Sequence, residues 1–442
     1  MSVMISQAEY HRRRRELMRQ LAPNSIAVVA AAHETIRNRD THYPFRQDSD
    51  FFYLSGFAEP DGVLVMLPGR AQGEVIFFCR ERDPSKEMWD GRRAGTDTMT
   101  RDYGADDAFP IDDIDDILPG LMEGRDRVYY SLGRNPAFDN LLMSWLNAIR
   151  KKAKAGAQPP EEFVDLDHLL HDMRLYKSNA EIEIMARAGE ISAAAHVRAM
   201  RVCQPGMMEY QLEAEIQHSF AMAGARHPAY PSIVGGGANG CILHYIENSA
   251  QLQDGDLVLI DAGCELGNYA SDITRTFPVN GRFSKEQAAL YQVVLDAQQA
   301  AFANIRPGLD WNASHTAAVR VLCEGLLSLG LLRGELDTLL AERAYEEFYM
   351  HRTGHWLGLD VHDVGDYRVG GEWRVLEPGM VMTVEPGLYV AEDNLNVEYK
   401  WRGIGIRIED DVVVTDQGCR VLTDSVPKTI EAIEALMAEA KH

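Results

Sequence analysis

The stretch Gly255-Asp-Leu-Val-Leu-Ile-Asp261-Ala-Gly263 lies without a gap on Gly379-Met-Val-Met-Thr-Val-Glu385-Pro-Gly387, and this internal repeat constrains the fold more than any other feature of the 442-residue chain. Each copy sets an apolar strand behind a glycine and a carboxylate at the strand's end. A second strand-like run follows each copy, Tyr269-Ala-Ser-Asp272-Ile-Thr-Arg-Thr276 in one half and Ile404-Gly-Ile-Arg407-Ile-Glu409-Asp-Asp-Val-Val-Val414 in the other. If each pair forms an antiparallel hairpin, one half supplies Asp261 and Asp272, the other supplies Glu385 and Glu409, and four acids converge.

Around this repeat the chain reads as α/β, in two domains. Apolar runs at Ile26–Val29, Gly62–Leu67 and Glu74–Phe78 alternate with helical patterns, which predicts a mixed α/β amino-terminal domain. Ile111, Ile114 and Leu118 beside Asp112, Asp113, Asp115 and Asp116 read as a helix with a solvated acidic face. Ser6 to Glu9 has the form of a capping box, and Tyr10, Arg14, Leu17 and Leu21 follow at helical spacing, with the arginine run expected in solvent. Residues 151–162 combine charge, small residues and a Pro-Pro pair, the composition of an interdomain connection, so the domains are placed at 1–165 and 166–442. Beyond it, capping boxes at Ser178–Glu181 and Ser284–Gln287 open two further helices, the second stopped by Pro307-Gly308.

Composition excludes whole classes of partner. Lys and Arg number 44 against 67 Asp and Glu, a net charge of −23, which disfavours nucleic acid and anionic membranes. No run approaches the ~20 apolar residues of a membrane helix, and the seven-residue run Ile26–Ala32 is a poor signal sequence. The six cysteines contain no C-x-x-C pair, which predicts neither a disulfide framework nor a thiolate zinc site and fits a reducing cytoplasm.

Carboxylates flanked by Leu, Ile and Val are costly to desolvate unless something cationic holds them. Two divalent cations bring +4 against the −4 of Asp261, Asp272, Glu385 and Glu409, and carboxylates bridging two metals clamp a shared water or hydroxide between them. The segment His351-Arg-Thr-Gly-His355-Trp-Leu-Gly-Leu-Asp-Val-His362-Asp363 adds neutral nitrogen ligands. Singly, each acid reads as a surface ion-pair partner and each histidine as a satisfied polar group; the combination points to metal. Oxygen ligands with one imidazole suit Mn²⁺, with Zn²⁺, Co²⁺ and Fe²⁺ as alternatives. Other chemistries lack their residues: there is no P-loop, no G-x-S-x-G, no H-E-x-x-H and no dinucleotide fingerprint, and Gly235-Gly-Gly237 reads as a loop next to the site.

The order Asp261, Asp272, His355, Glu385, Glu409, within Ile-Asp-Ala-Gly, Ser-Asp-Ile-Thr-Arg-Thr, Gly-His-x-x-Gly, Val-Glu-Pro-Gly and Arg-Ile-Glu-Asp segments, resembles the pita-bread metallopeptidases. Upstream, Tyr43-Pro-Phe-Arg-Gln-Asp-Ser-Asp-Phe-Phe-Tyr-Leu-Ser-Gly-Phe-Ala-Glu-Pro60 and Glu87-Met-Trp89-Asp-Gly-Arg-Arg93 look like the amino-terminal domain of the bacterial aminopeptidase P branch, so the resemblance covers essentially the whole chain. It implies a creatinase-like amino-terminal domain and a pita-bread catalytic domain built on a pseudo-twofold repeat.

The resemblance further implies that the five residues bind two metals, commonly manganese, with Asp272 and Glu409 bridging, Asp261 holding one ion, and His355 and Glu385 completing the other. His244, His351, His362 and Arg407 would surround the substrate or reacting carbonyl, with Tyr389 and Trp89 as further substrate contacts. The implied reaction is hydrolysis of the bond preceding a prolyl nitrogen by a metal-bridged hydroxide. His244 would take part, His362 would steady the oxyanion, and Glu385 would pass a proton to the leaving nitrogen. Proline matters because its nitrogen carries no hydrogen and its φ is fixed. A homotetramer is implied as well. Arg352-Thr-Gly354 stands where close bacterial relatives can carry Gly-Leu-Ser, which keeps the histidine spacing and changes the pocket wall. The rival readings are a dipeptidase of the prolidase type and, on the same fold, a metal-free peptide- or protein-binding module; the metal-free hydrolase creatinase is disfavoured by the ligand set.

Overall fold

The computed structural model describes residues 5–439, which divide by their contacts into Ile5–Arg174 and the chain from Leu175 onward. The first unit is built on a six-stranded mixed sheet. Ser25–Ala30 runs antiparallel to Val63–Met66 and parallel to Arg127–Tyr129; Val75–Cys79 and Asp107–Pro110 extend one side, and Glu162–Val164 closes the other. Every residue of Val63–Met66 and Val75–Cys79 is buried, so these strands read as continuous apolar runs, as sheets covered on both faces do. Helix Ile114–Met122 turns Ile114, Leu118 and Met122 inward and leaves the neighbouring aspartates exposed.

Three expectations about this unit change. Residues 151–162 do not leave the domain: Glu162–Val164 is the sheet's sixth strand, and helix Asp167–Leu175 lies astride the boundary after Arg174, nine residues beyond the break after 165 that the sequence suggests. Ser6 precedes helix Gln7–Gln20 without capping it through its side chain. The arginine run is not all solvated either, for Arg13 and Arg14 are buried while Arg12 and Arg15 are exposed. Arg13 donates to the carbonyl of Tyr53 at 3.0 Å and Arg14 to that of Leu54 at 2.8 Å. These carbonyls end helix Ser49–Ser55, where backbone acceptors have no intrahelical partner and the dipole favours a cation.

The second unit repeats one plan twice. Helices Asn179–Val202 and Glu209–Met222 precede the sheet of Ile233–Gly236, Leu257–Asp261 and Thr274–Pro278. Helices Lys285–Ala303 and Asn312–Ser328 precede the strands Val381–Val384, Gly387–Val390, Ile404–Arg407 and Asp410–Thr415. The capping boxes at Ser178 and Ser284 both form. Both hairpins are antiparallel as the repeat requires, pairing Asp261 with Thr274 and Val384 with Asp410. The run from Ile404 to Val414 is two strands rather than one. Ile404–Arg407 pairs with Gly387–Val390, Asp410–Thr415 pairs with Val381–Val384, and Glu409 sits in the break. The break has a physical cause: the Glu409 amide donates across to the carbonyl of Thr274 in the first half, at 3.0 Å. All six cysteines are free, and no helix among the described residues is long and apolar enough to cross a membrane.

Candidate active site

The first half presents its two aspartates on a tight crossing. Past Asp261 the ladder continues through the Ala262 amide to the Ile273 carbonyl (3.0 Å) and the Ser271 amide to the Cys264 carbonyl (3.1 Å). Gly263 makes this approach possible, since a Cβ there would stand 1.7 Å from the Ser271 carbonyl oxygen. Asp261 and Asp272 therefore lie on adjacent chains. Tyr230, which the sequence reading did not single out, spans them: its hydroxyl donates to Asp261 at 2.6 Å and also meets Asp272 closely.

In the second half, the segment Thr353–His355 runs along strand Val381–Val384 like a short additional strand. The Thr383 amide donates to the His355 carbonyl at 2.9 Å and the Glu385 amide to the Thr353 carbonyl at 2.8 Å, which sets His355 beside Glu385. His355 Nδ1 donates to the Trp356 carbonyl at 2.9 Å, so Nε2 faces Asp272 at 3.4 Å and Glu385 at 3.7 Å. Two cross-links join the halves. Thr274 donates its hydroxyl to Glu409 at 2.6 Å, and Arg407 donates Nη2 to Asp261 at 2.7 Å and Nε to Thr274 at 3.1 Å. Behind them the buried Arg275–Asp410 pair, at 2.7 Å, also ties the Glu409 carbonyl down at 2.6 Å.

The structure thus brings Asp261, Asp272, His355, Glu385 and Glu409 onto the wall of one cavity of about 1100 Å³. Ligand atoms of Asp272, His355 and Glu409 lie within 4.8 Å of one another. The cluster is short of positive charge. Burial, with repulsion from Asp272 and Asp261, pushes Glu385 up to about 7 against the pull of His355 and Arg407. Burial and the three neighbouring acids drive Glu409 well above the ordinary carboxylate range. For His355 burial acts downward, but Asp272 and Glu385 outweigh it and hold the imidazole up at about 9. The acids draw positive charge to Nε2, the atom from which a neutral imidazole would ligate a cation, with Nδ1 anchored on a carbonyl as ligating histidines usually are. The donor set fits divalent metal.

A second acidic group, Asp50, Asp167 and His171, also comes together. It differs in kind, because Asp50 already pairs with Arg174 at 2.6 Å and Arg134 at 2.7 Å, and Arg134 reaches Asp167 at 3.0 Å. Its charge is balanced by the protein itself.

His244, His351, His362 and Arg407 line the same cavity as the acid cluster. Arg407 Nη1 donates to the Tyr389 hydroxyl at 3.0 Å, which in turn donates to His351 Nε2 at 2.8 Å, while His351 Nδ1 donates to the Arg352 carbonyl at 2.8 Å. Burial and the Arg407 charge push His351 down to about 3, so it is neutral in this chain of bonds. Tyr389 is buried behind the wall. His362 is exposed, edge-on to His355 with ring centroids 4.4 Å apart, and burial and His355 lower it. Next to it, the buried pair Lys177–Asp363, at 2.9 Å, fixes its backbone. Trp89 belongs to the other unit, on helix Pro84–Asp90, and is 86% exposed. The aromatic wall of Trp311, Tyr367 and Trp373 was also missing from the sequence reading; no spacing marks it, since Trp311 lies far along the chain from Tyr367 and Trp373.

Comparison with known proteins agrees with this geometry. Residues 183–416 match metallopeptidase family M24, and residues 10–129 match the aminopeptidase P amino-terminal domain. The chain is 48% identical to the Xaa-Pro aminopeptidase of Escherichia coli over 99% of both chains. It is 36% identical to human Xaa-Pro aminopeptidase 3, covering 99% of this chain and 87% of that one. The solved structure of Pseudomonas aeruginosa aminopeptidase PepP superposes with a TM-score of 0.99 at 65% identity over 99% of both chains. An E. coli aminopeptidase P variant in complex with substrate superposes at 0.97, with 48% identity over 99% of both. With both domains matched and the acid cluster assembled from both halves of the repeat, the chain belongs to the M24 metallopeptidases of the aminopeptidase P type.

Proposed function

We propose that this enzyme removes the first residue from peptides with proline in the second position. The observation that carries the reading is the convergence of Asp261, Asp272, His355, Glu385 and Glu409 on one cavity, whose ~1100 Å³ exceeds the ~300–1,000 Å³ of a typical small-ligand pocket. A peptide longer than a dipeptide fits there, which favours an aminopeptidase over a prolidase-type dipeptidase.

Asp261, Asp272, His355, Glu385 and Glu409 would hold two divalent cations, with manganese as the assigned metal. Such ions polarise a scissile carbonyl and acidify water. The protein's own groups do the rest. The substrate's free α-amine would sit beside the acid cluster, which limits cleavage to the first bond. His362 and His244 stand on the exposed side of the cavity, where an imidazole N–H steadies the developing oxyanion. Glu385 would take the proton given up by the attacking water and pass it to the prolyl nitrogen as the peptide bond breaks. Arg407, Tyr389 and His351 form a fixed chain that orients this wall without changing charge.

We further assign a cytoplasmic location, which the six free cysteines support, and a homotetramer, for which the exposed Met88 and Trp89 (81% and 86%) offer an apolar contact that would also bring Trp89 to a substrate. The test is hydrolysis of Arg-Pro-Pro and Gly-Pro by chelator-stripped protein resupplied with Mn²⁺, Zn²⁺ or Co²⁺. Metal-dependent cleavage of the tripeptide is expected; cleavage of Gly-Pro alone would mean a dipeptidase, and cleavage of neither a binding module. Asp272→Ala should lose stoichiometric metal and, forfeiting several kcal/mol of electrostatic stabilisation, about a thousandfold in turnover. Full activity in that variant would sink the dinuclear reading.

A further inference from the structure

The aromatic wall carries two arginines that the reaction described above does not use. Trp311 and Trp373 stack at 5.8 Å between centroids, and Tyr367 meets Trp311 edge-on at 4.6 Å while stacking on Trp356 at 5.5 Å. Trp311 and Trp356 are buried, so the wall is rigid. The Arg352 guanidinium lies 5.3 Å from the Trp311 ring centre and 5.0 Å from that of Trp373, and the Arg368 guanidinium lies 4.0 Å from Trp373. Each arginine spends one hydrogen bond on a neutral acceptor, Arg352 on the Asn312 side chain and Arg368 on the Gly371 carbonyl. A guanidinium has five N–H donors in a fixed fork, so most remain to be used.

Neither arginine meets a carboxylate in an ion pair among the described residues, although acids outnumber bases by 67 to 44 in this protein. Arg343 and Arg368 also repel Arg352, which burial and this repulsion hold below its ordinary pKa. Arg343 is tied to Glu346, and Asp366, which lines the same cavity, forms an ion pair with neither Arg352 nor Arg368. Two like charges held side by side on stacked rings are tolerated best where an anion joins them. Both line the cavity that holds the acid cluster, and Arg352 directly follows His351. The cavity thus has an acidic wall suited to an amine and a cationic wall suited to a carboxylate.

We propose that Arg352 and Arg368, propped on Trp311 and Trp373, form a carboxylate-binding subsite that selects peptide substrates by the carboxylate they carry downstream of the proline. The carboxylate is either the chain terminus of a short peptide or an Asp or Glu side chain; a fork over an aromatic plane suits both equally. The inference rests on the aminopeptidase reading above, and the test separates the two.

The measurement is kcat/KM, with KM and kcat resolved, for Ala-Pro-Ala-Ala as free acid and as C-terminal amide, and for Ala-Pro-Ala-Glu amide, using metal-loaded enzyme. The free acid should exceed its amide by about tenfold, carried by KM, the worth of one charge-assisted contact. A glutamate amide that regains this advantage identifies a side-chain carboxylate as an accepted source; one that does not identifies the chain terminus. In Arg352→Gln/Arg368→Gln the acid-to-amide ratio should fall to about two or less, whereas the Lys/Lys variant, which keeps the charge, should retain part of it. Equal cleavage of acid and amide by the unmodified enzyme, or discrimination surviving the Gln/Gln change, would overturn the subsite and leave the aminopeptidase standing. Failure to cleave any of the three peptides would overturn both.

Discussion

Tyr230 is the residue whose role is most cleanly separable from charge. Its hydroxyl joins Asp261 to Asp272, and burial with the charges of Asp261, Asp272 and Glu409 keeps it un-ionised far past its ordinary range. Removing the hydroxyl leaves every acid in place but takes away the direct tie between Asp261 and Asp272, and groups that orient metal ligands are usually worth about 10–100-fold in affinity. Tyr230→Phe should therefore weaken metal binding by about that factor, measured by titrating stripped protein, with the fold intact; unchanged affinity would show that the aspartates need no such brace. His196 makes a different kind of prediction. Its Nε2 donates to the Ala262 carbonyl at 2.9 Å while Nδ1 is buried without a hydrogen-bond partner, and Arg275, Asp410 and Asp272 are the charges that act on it. Burial lowers the imidazole to about 4 from 6.5, so between those values the unfolded chain takes up a proton that the folded one refuses. Its contribution is present above pH 6.5 and is lost as pH falls towards 4, on the order of 3 kcal/mol in all. His196→Gln keeps a donor for Ala262 and cannot titrate. The stability gap between the unmodified protein and this variant should narrow by up to that amount from pH 7 to pH 4.5 in urea unfolding, and a gap constant with pH would remove His196 from the acid response.

Among the elements, the first hairpin depends on one close approach. A side chain at Gly263 would collide with the Ser271 carbonyl at 1.7 Å, and backbone cannot yield there without separating Asp261 from Asp272. Gly263→Ala should cost about 3 kcal/mol or more as overpacking against main chain does, and lower metal content along with the unfolding midpoint. A variant as stable and as metal-rich as the parent would mean that the hairpin has slack. The same hairpins mark how far the sequence could be read. Alternating glycine, apolar strand and terminal acid are local signals, so the repeat, the antiparallel pairing and the four converging acids were legible, whereas His355 was picked out from the three histidines of its segment by the family resemblance. The break at Glu409 was not, because its cause, a bond to the Thr274 carbonyl, lies 135 residues away. Arg13 and Arg14 were misread for a similar reason: a charged run looks solvated until the end of another helix, Ser49–Ser55, is laid against it. Strand Glu162–Val164 resembled a linker because at three residues on a sheet edge it is too short to show a period.

At the scale of the whole molecule, the two units differ in how their buried charges are met, and this makes metal a selective stabiliser. In residues 5–174 the acids of Asp50 and Asp167 already have Arg134 and Arg174 beside them, and burial is outweighed by His171 and Arg174 so that Asp50 stays well below the usual carboxylate range. From Leu175 onward, the five-residue cluster carries carboxylates that burial and mutual repulsion hold partly protonated, with only Arg407 and His355 to oppose them. A divalent cation relieves that repulsion in the folded state alone. At a hundredfold excess over its dissociation constant it adds about 2.7 kcal/mol per site. With about 2–4 °C per kcal/mol for a unit of this size, the catalytic unit should melt about 5–10 °C higher per ion. Hydrogen exchange read peptide by peptide gives the sharper form of the prediction. Mn²⁺ should slow exchange in 257–278 and 381–415 and leave 63–79 unchanged, and in Asp272→Ala it should slow exchange in none of the three. Protection spread evenly over both units would mean that the ions act generally on an acidic protein rather than on one cluster of five side chains.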